Sequence, residues 1–145
     1  MLFADLANSG ATPALEAMMR FSAQRQKLLA HNVANLSTPG FIQKDASIPD
    51  FQSALRRALD DRQEKRGGQG PLQLERTDEI DPHEDGTFTL TPQTPGNGVL
   101  FHDRNNRNLE QLMQGLAENA GVFRVATDLL RSRNDMLRAA IGQRV

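Results

Sequence analysis

The sequence contains no cysteine, no tryptophan and no tyrosine. Without cysteine the chain has neither a disulfide framework nor a thiolate metal site. Its only aromatic residues are seven phenylalanines, and hydrophobic residues make up 38% of its 145 positions, below the usual share for a globular domain. This length fits one domain over residues 1–145, but the apolar set fills a compact core poorly. We therefore expect an elongated protein, or one that completes its apolar contacts with copies of itself or with partners.

The chain also lacks an excess of either charge, since 17 basic and 18 acidic residues leave a net charge of −1. A nucleic-acid-binding protein needs a basic surface to displace counterions, so that class of partner is not expected. No run of 18 apolar residues occurs, and no transmembrane helix is predicted. The first ten residues lack a basic region and a long apolar run, and they do not predict a secretory signal peptide.

A long helix is predicted over residues 12–37, near the amino terminus. Thr12 can cap it, and Pro13 suits the first helical turn because its missing N–H is not needed there. Apolar residues then follow at helical spacing, at Leu15, Met18, Met19, Ala23, Leu28, Leu29, Val33 and Leu36. Thr38, which precedes proline, is disfavoured in the helical conformation and predicts the end of the helix.

Residues 38–104 form a loop-rich middle region that holds six of the seven prolines. A short amphipathic helix is predicted near residues 50–65, with Asp50 as its cap, and it ends at the glycines of 67–70. Residues 88–91 alternate in polarity and predict a weak strand. An irregular segment of this length is typical of a functional loop or a disordered region.

A second long helix is predicted over residues 105–142. Apolar residues recur there in a heptad pattern that predicts packing along a partner helix. The residues of this predicted seam are Leu109, Leu112, Leu116, Ala120, Phe123, Ala126, Leu130, Leu137 and Ile141. Asn119 and Arg133 are polar residues on the same seam, where such groups often set the register. The two long helices predict a mostly α fold, in which they pair as a coiled-coil-like hairpin around a middle with at most weak β-structure.

Catalytic and cofactor sites are not predicted from the residues present. His83 lies in the segment Asp-Pro-His-Glu-Asp at 81–85, but the spacing matches no recurrent metal-binding motif, and a solvated acidic loop explains it better. The glycines of 67–70 are followed by Pro71 and lack the lysine of a phosphate-binding loop. A metal-dependent hydrolase that uses His83 or His102 is the least favoured alternative, and we expect no enzyme, no metal and no cofactor.

The end of the first helix carries the most specific pattern in the chain. Two asparagines three residues apart are poor helix formers, and they indicate a required local structure or an interface. The stretch resembles the amino-terminal signature of the axial proteins of the bacterial flagellum, N-x-A-N-x-x-T-P-G-[FY]. The residues that fill it are Asn32, Ala34, Asn35, Thr38, Pro39, Gly40 and Phe41.

Residues near the second helix narrow this resemblance to the basal-body rod family. Residues 103–110 are similar to the segment that leads into the last helix of rod proteins, with Arg107 and Asn108 where Val-Asp is usual. The sequence Leu-Ala-Glu-Asn at 116–119, followed by Phe123 where tyrosine is usual, resembles a pattern of the proximal rod subunits. The short chain fits a proximal subunit as well, since hook and distal rod proteins have larger central domains.

The resemblance implies a structural protein of the flagellar basal body, with a role in motility. Such a subunit leaves the cytoplasm through the flagellar type III export apparatus without a cleaved signal, and it joins the periplasm-spanning rod that transmits torque. Its partners are copies of itself and other rod and basal-body proteins, with no nucleic acid and no small-molecule substrate. Two alternatives stay open: a sibling rod subunit of the same family, and a soluble helical-hairpin adaptor or chaperone that binds a partner helix.

Overall fold

A computed structural model describes residues 10–94, 96 and 108–142 of the chain. Its elements are helix α1 (Thr12–Ala34), helix α2 (Ile48–Arg66), strand β1 (Ile80–Pro82), strand β2 (Phe88–Leu90) and helix α3 (Leu109–Gly142). The long helices α1 and α3 pair with each other, and the β-structure of the described residues consists of two short strands and one isolated bridge, between Asp45 and Gln93. The predicted mostly α fold is confirmed.

Helix α1 ends at Ala34, three residues before the predicted boundary at 37. The Leu36 N–H donates to the Val33 carbonyl at 3.2 Å, and the Thr38 N–H donates to the Asn35 carbonyl at 3.0 Å. These bonds span three residues instead of four, so the chain tightens into turns before it reaches Pro39. The second long helix was predicted to begin at residue 105, but α3 begins at Leu109, and residues 105–107 lie outside the described part of the chain.

Helix α2 begins earlier than the sequence predicted, and Asp50 is not its cap. The Ser47 hydroxyl takes that role and accepts a hydrogen bond from the Asp50 N–H at 3.2 Å. Asp50 instead places its negative charge in the first turn, where it favours the positive end of the helix dipole. Gly67 caps the carboxyl end of the helix. Its φ of 60° lies in the left-handed region that glycine adopts readily at this position.

Strand β2 falls on the predicted residues and pairs with β1 in an antiparallel register that sets Ile80 opposite Leu90. The strand β1 was not predicted, because three residues that end in proline show no alternation. The outer edge of β2 is bonded by a side chain of α1: the Gln24 amide donates to the Phe88 carbonyl at 2.8 Å and accepts from the Leu90 N–H at 2.9 Å. Gln24 thus takes the place of a neighbouring strand and fixes the hairpin to α1.

The apolar core lies between α1, α2 and the β-hairpin. Phe51 is at its centre, stacked on Phe21 with ring centroids 4.1 Å apart and tilted against Phe88 at 5.8 Å. None of the described residues of α3 belongs to this buried cluster. Helix α3 therefore packs on α1 outside the core, and most of its surface is exposed.

Candidate assembly surface

A polar contact sets the register between α1 and α3. The Asn119 side chain is 2% exposed, and its Nδ2 donates to the Ser22 carbonyl at 3.0 Å and to Gln26 Oε1 at 2.9 Å. One helical turn away, a β-carbon on Gly115 would stand 3.6 Å from Leu29 Cδ2, so the helices approach closely. Asn119 thus occupies the seam position that the heptad pattern gave it. If α3 were shifted along α1, the Asn119 amide would lose these partners, so the contact fixes the register of the two helices.

The predicted seam is only partly covered by α1. Leu112 and Ala126 are buried, and Leu116, Leu130 and Leu137 are half-buried, as is the polar seam residue Arg133. In contrast, four predicted seam residues lie exposed: Leu109, Ala120, Phe123 and Ile141. The buried contact also includes Asn119, which was predicted on the seam, and Gly115, which was not. The exposed seam residues are left open because α1 covers a line narrower than the apolar face of α3.

Seven large apolar side chains of α3 are exposed, and they fall on two sides of the buried line through Asn119. Helical geometry of about 100° per residue gives their positions around the axis. Flank A consists of Leu109, Met113, Phe123 and Ile141, and flank B consists of Val125, Leu129 and Met136. Met113 and Leu129 illustrate the separation, since sixteen residues place them about 160° apart. Exposed apolar groups in such number on one helix make α3 a candidate surface for contact with other molecules.

The signature residue Asn32 joins α1 to the chain that leaves it. Its side chain is 3% exposed. Nδ2 donates to the Lys44 carbonyl at 2.7 Å, and Oδ1 accepts from the Lys44 N–H at 3.2 Å. The amide therefore pairs with a main-chain segment as a strand would, and only asparagine supplies both groups at this length.

The other signature residues shape the turn that precedes this pairing. Asn35 Nδ2 donates to the His31 carbonyl at 2.9 Å, and Thr38 Oγ1 donates to Asn35 Oδ1 at 3.3 Å. Gly40 has a φ of 72°, which favours glycine, and the Phe41 ring packs on His31 with centroids 5.4 Å apart. Ala34, Thr38 and Pro39 are exposed. The signature is thus a helix end with bonded residues on its inner side and with Ala34 and Pro39 exposed on its outer side.

Replacing Asn32 with alanine is expected to lower the free energy of unfolding by about 2–4 kcal/mol, since each main-chain group left without a partner costs about 1–3 kcal/mol. Asn35→Ala is the matched control, because its amide bonds are exposed, and we expect a loss of about 1 kcal/mol or less. Urea unfolding of both variants measures the difference. Equal losses would contradict the role assigned to Asn32.

Arg25, in the middle of α1, holds the same segment in place. Arg25 donates through Nε and Nη2 to the two carboxylate oxygens of Asp45, at 2.8 and 2.7 Å. Asp45 also exchanges main-chain hydrogen bonds with Gln93. The sequence shows an arginine within an apolar helical pattern, which indicates a partly buried charge. Its partner Asp45 lies twenty residues away and cannot be inferred from spacing. Together, Asn32 and Arg25 bind residues 44–45 along α1.

The described part of the chain offers no group of three histidine, aspartate or glutamate side chains arranged to hold a metal ion. His83 forms a 2.7 Å hydrogen bond with Thr89 Oγ1 across the β-hairpin. His102, the other histidine considered for metal binding, lies outside the described residues. Within the same part of the chain, no helix is long and apolar enough to cross a membrane.

Two exposed groups have shifted pKa values, and both shifts have local causes. The pKa of Asp85 is lowered first by the hydrogen bond from the Thr87 hydroxyl and then by that from the Thr87 N–H. The pKa of Lys65 is raised by its hydrogen bond to Asp61 and by the charge of that carboxylate. At pH values above the ordinary pKa of aspartate, the hydrogen bonds to the Asp85 carboxylate stabilise the hairpin turn. This contribution to stability disappears as the pH falls through the lowered pKa of Asp85. Neither group lies on α3.

No family model matches the chain, and no curated protein matches it in sequence. The site is therefore defined by its own geometry. It consists of the α1–α3 hairpin, the two exposed flanks of α3, and the bonded helix end at residues 32–41.

Proposed function

We propose that this protein is a structural subunit of the flagellar basal-body rod, of the proximal type, which assembles with copies of itself and with other rod proteins through its terminal helices. The observation that carries the proposal is the pair of exposed apolar flanks on opposite sides of α3. A sibling rod subunit of the same family has the same hairpin and the same signature.

The placement of the flanks favours a tube over a closed pair. A twofold dimer uses one self-complementary patch, whereas head-to-tail assembly needs two different patches that fit each other. Flanks A and B differ in composition, since flank A includes Phe123 and flank B is aliphatic apart from Met136. They lie on opposite sides of the line that α1 covers, so each subunit has room for two neighbours. Repetition of such a contact builds a ring or a helical tube.

The signature at residues 32–41 adds support from a second part of the molecule. Its bonded residues fix the exit of the chain from α1, and its exposed residues lie at the end of the hairpin beside the start of α3. Val33 and Ile42, two large apolar residues at this end, are also exposed. A soluble adaptor that binds one helix requires a single groove and gives no reason for a second flank or for this helix end.

Deletion of the gene in its bacterium is expected to abolish flagella and motility, because a rod that lacks one subunit cannot support the structures beyond it. Swimming in soft agar and electron microscopy of negatively stained cells measure the outcome. The wild-type gene on a plasmid is the control and should restore both. A deletion strain that swims and carries flagella would overturn the proposed function.

A further inference from the structure

A polar cleft of about 250 Å³ lies beside the α1–α3 contact, and nothing described so far uses it. It lies between the segment that follows α1 and the first half of α3. Its polar walls include Arg25, Asp45, Glu79, Gln111 and Glu118. We call it the Arg25 cleft.

The cleft contains a buried hydrogen-bond donor without a partner. Arg25 is 5% exposed, and its Nη1 makes no hydrogen bond to any of the described residues. The nearest carboxylate oxygen is Glu118 Oε2, at 3.8 Å, which is too long for a hydrogen bond. A buried guanidinium N–H that lacks an acceptor is costly, so an acceptor brought within hydrogen-bond distance of Nη1 would stabilise the protein.

The carboxylates of the cleft leave an excess of negative charge. Asp45 neutralises Arg25 through a forked ion pair. Glu79 accepts from the Ser47 N–H through one oxygen, at 2.9 Å. Glu118 has a half-exposed side chain, and among the described residues its carboxylate makes only the long contact to Arg25. One guanidinium and three carboxylates give a charge of −2, so the complementary ligand is a cation.

The position of the cleft indicates where that cation comes from. Glu118 and Gln111 stand one and two heptads before Val125 of flank B, so the cleft continues flank B along the same side of α3. A neighbour that covers flank B therefore reaches the cleft. On the opposite side of α3, next to flank A, three exposed arginines are spaced by seven residues, and they are Arg124, Arg131 and Arg138. We call these three the arginine row.

We propose that the Arg25 cleft receives the guanidinium of one residue of the arginine row from a neighbouring copy of this chain. Glu118 then lies between two guanidiniums, with Arg25 Nη1 on one side and the neighbour's arginine on the other. Fixing the Glu118 carboxylate there closes the 3.8 Å gap and provides the missing acceptor. The inference rests on the proposed assembly of flank A against flank B, and it adds the charged contact that sets the register between subunits.

Charge reversal at the cleft tests this contact in the full-length protein. Glu118→Arg is expected to weaken self-association about tenfold or more, and Glu118→Gln about two- to fivefold, the range of a surface ion pair. Added salt should reduce both effects. Glu64→Arg is the matched control, because it makes the same charge change at an exposed position of α2, which carries neither a flank nor the arginine row. Sedimentation velocity over a dilution series measures all four proteins.

A second charge reversal that restores self-association to Glu118→Arg identifies the partner residue. Glu118→Arg is combined in turn with Arg124→Glu, Arg131→Glu and Arg138→Glu, and one combination should recover association to within about threefold of wild type. If Glu118→Arg associates as strongly as wild type, or if no combination recovers association, the proposed contact is wrong. The proposed function would survive both results, because it depends on the flanks. A wild-type chain that never self-associates would count against both proposals.

Discussion

Replacing Phe51 with alanine is expected to lower the free energy of unfolding by about 3–5 kcal/mol, the usual cost of removing a buried phenylalanine from a packed core. Phe51 is 3% exposed, and its ring contacts the rings of Phe21 and Phe88. These three rings come from α1, α2 and β2. The cavity left by Phe51→Ala therefore lies where these elements of the core meet. Urea unfolding followed by circular dichroism measures the loss.

Phe123→Ala is the matched control for this experiment, because it removes the same side chain from an exposed position on α3. We expect it to change the stability of the monomer by about 1 kcal/mol or less. A loss below about 1 kcal/mol for Phe51→Ala would mean that the core does not depend on the stacked rings. Comparable losses for the two variants would mean that α3 belongs to the same packed unit, against the arrangement described above.

A single glutamate on either flank of α3 is expected to weaken self-association about a hundredfold or more. Phe123→Glu places a carboxylate on flank A, and Leu129→Glu places one on flank B. An unpaired charge buried in an apolar contact costs several kcal/mol, and about 2.7 kcal/mol already corresponds to a hundredfold. Both side chains are exposed in the monomer, so the stability of the folded chain should change little. Sedimentation velocity measures association, and urea unfolding measures stability.

Mixing the two variants distinguishes an open assembly from a closed dimer. Each variant keeps one intact flank, so a mixture should form pairs through the remaining A–B contact and nothing larger. Ala139→Glu is the control, since Ala139 is exposed on the outward side of α3 and shares no heptad position with the arginine row, and it should associate like the wild type. If one flank variant associates normally, that flank is not an interface, and the tube arrangement fails with it.

The sequence by itself determined the two long helices, the hairpin they form and the register residue Asn119. Helical periodicity over many residues repeats the same signal, and proline and glycine mark where it stops. The signature at residues 32–41 was visible for the same reason, because asparagine, proline and glycine have strong local preferences. These features depend on neighbours within a few residues, so a single chain displays them.

The tertiary structure alone decided which part of the apolar face of α3 stays exposed. Heptad spacing assigned Leu109 and Phe123 to one seam with Leu112, yet α1 covers only the line through Leu112 and Asn119 and leaves both flanks open. The pairing of Arg25 with Asp45 and of Asn32 with the Lys44 main chain depends in the same way on how the chain returns along α1. Such contacts join residues that lie far apart along the chain, and their energy exists only once the elements are docked. Periodicity thus gives the apolar face of a helix, but the width of the neighbour that packs on it determines how much of that face is left for assembly.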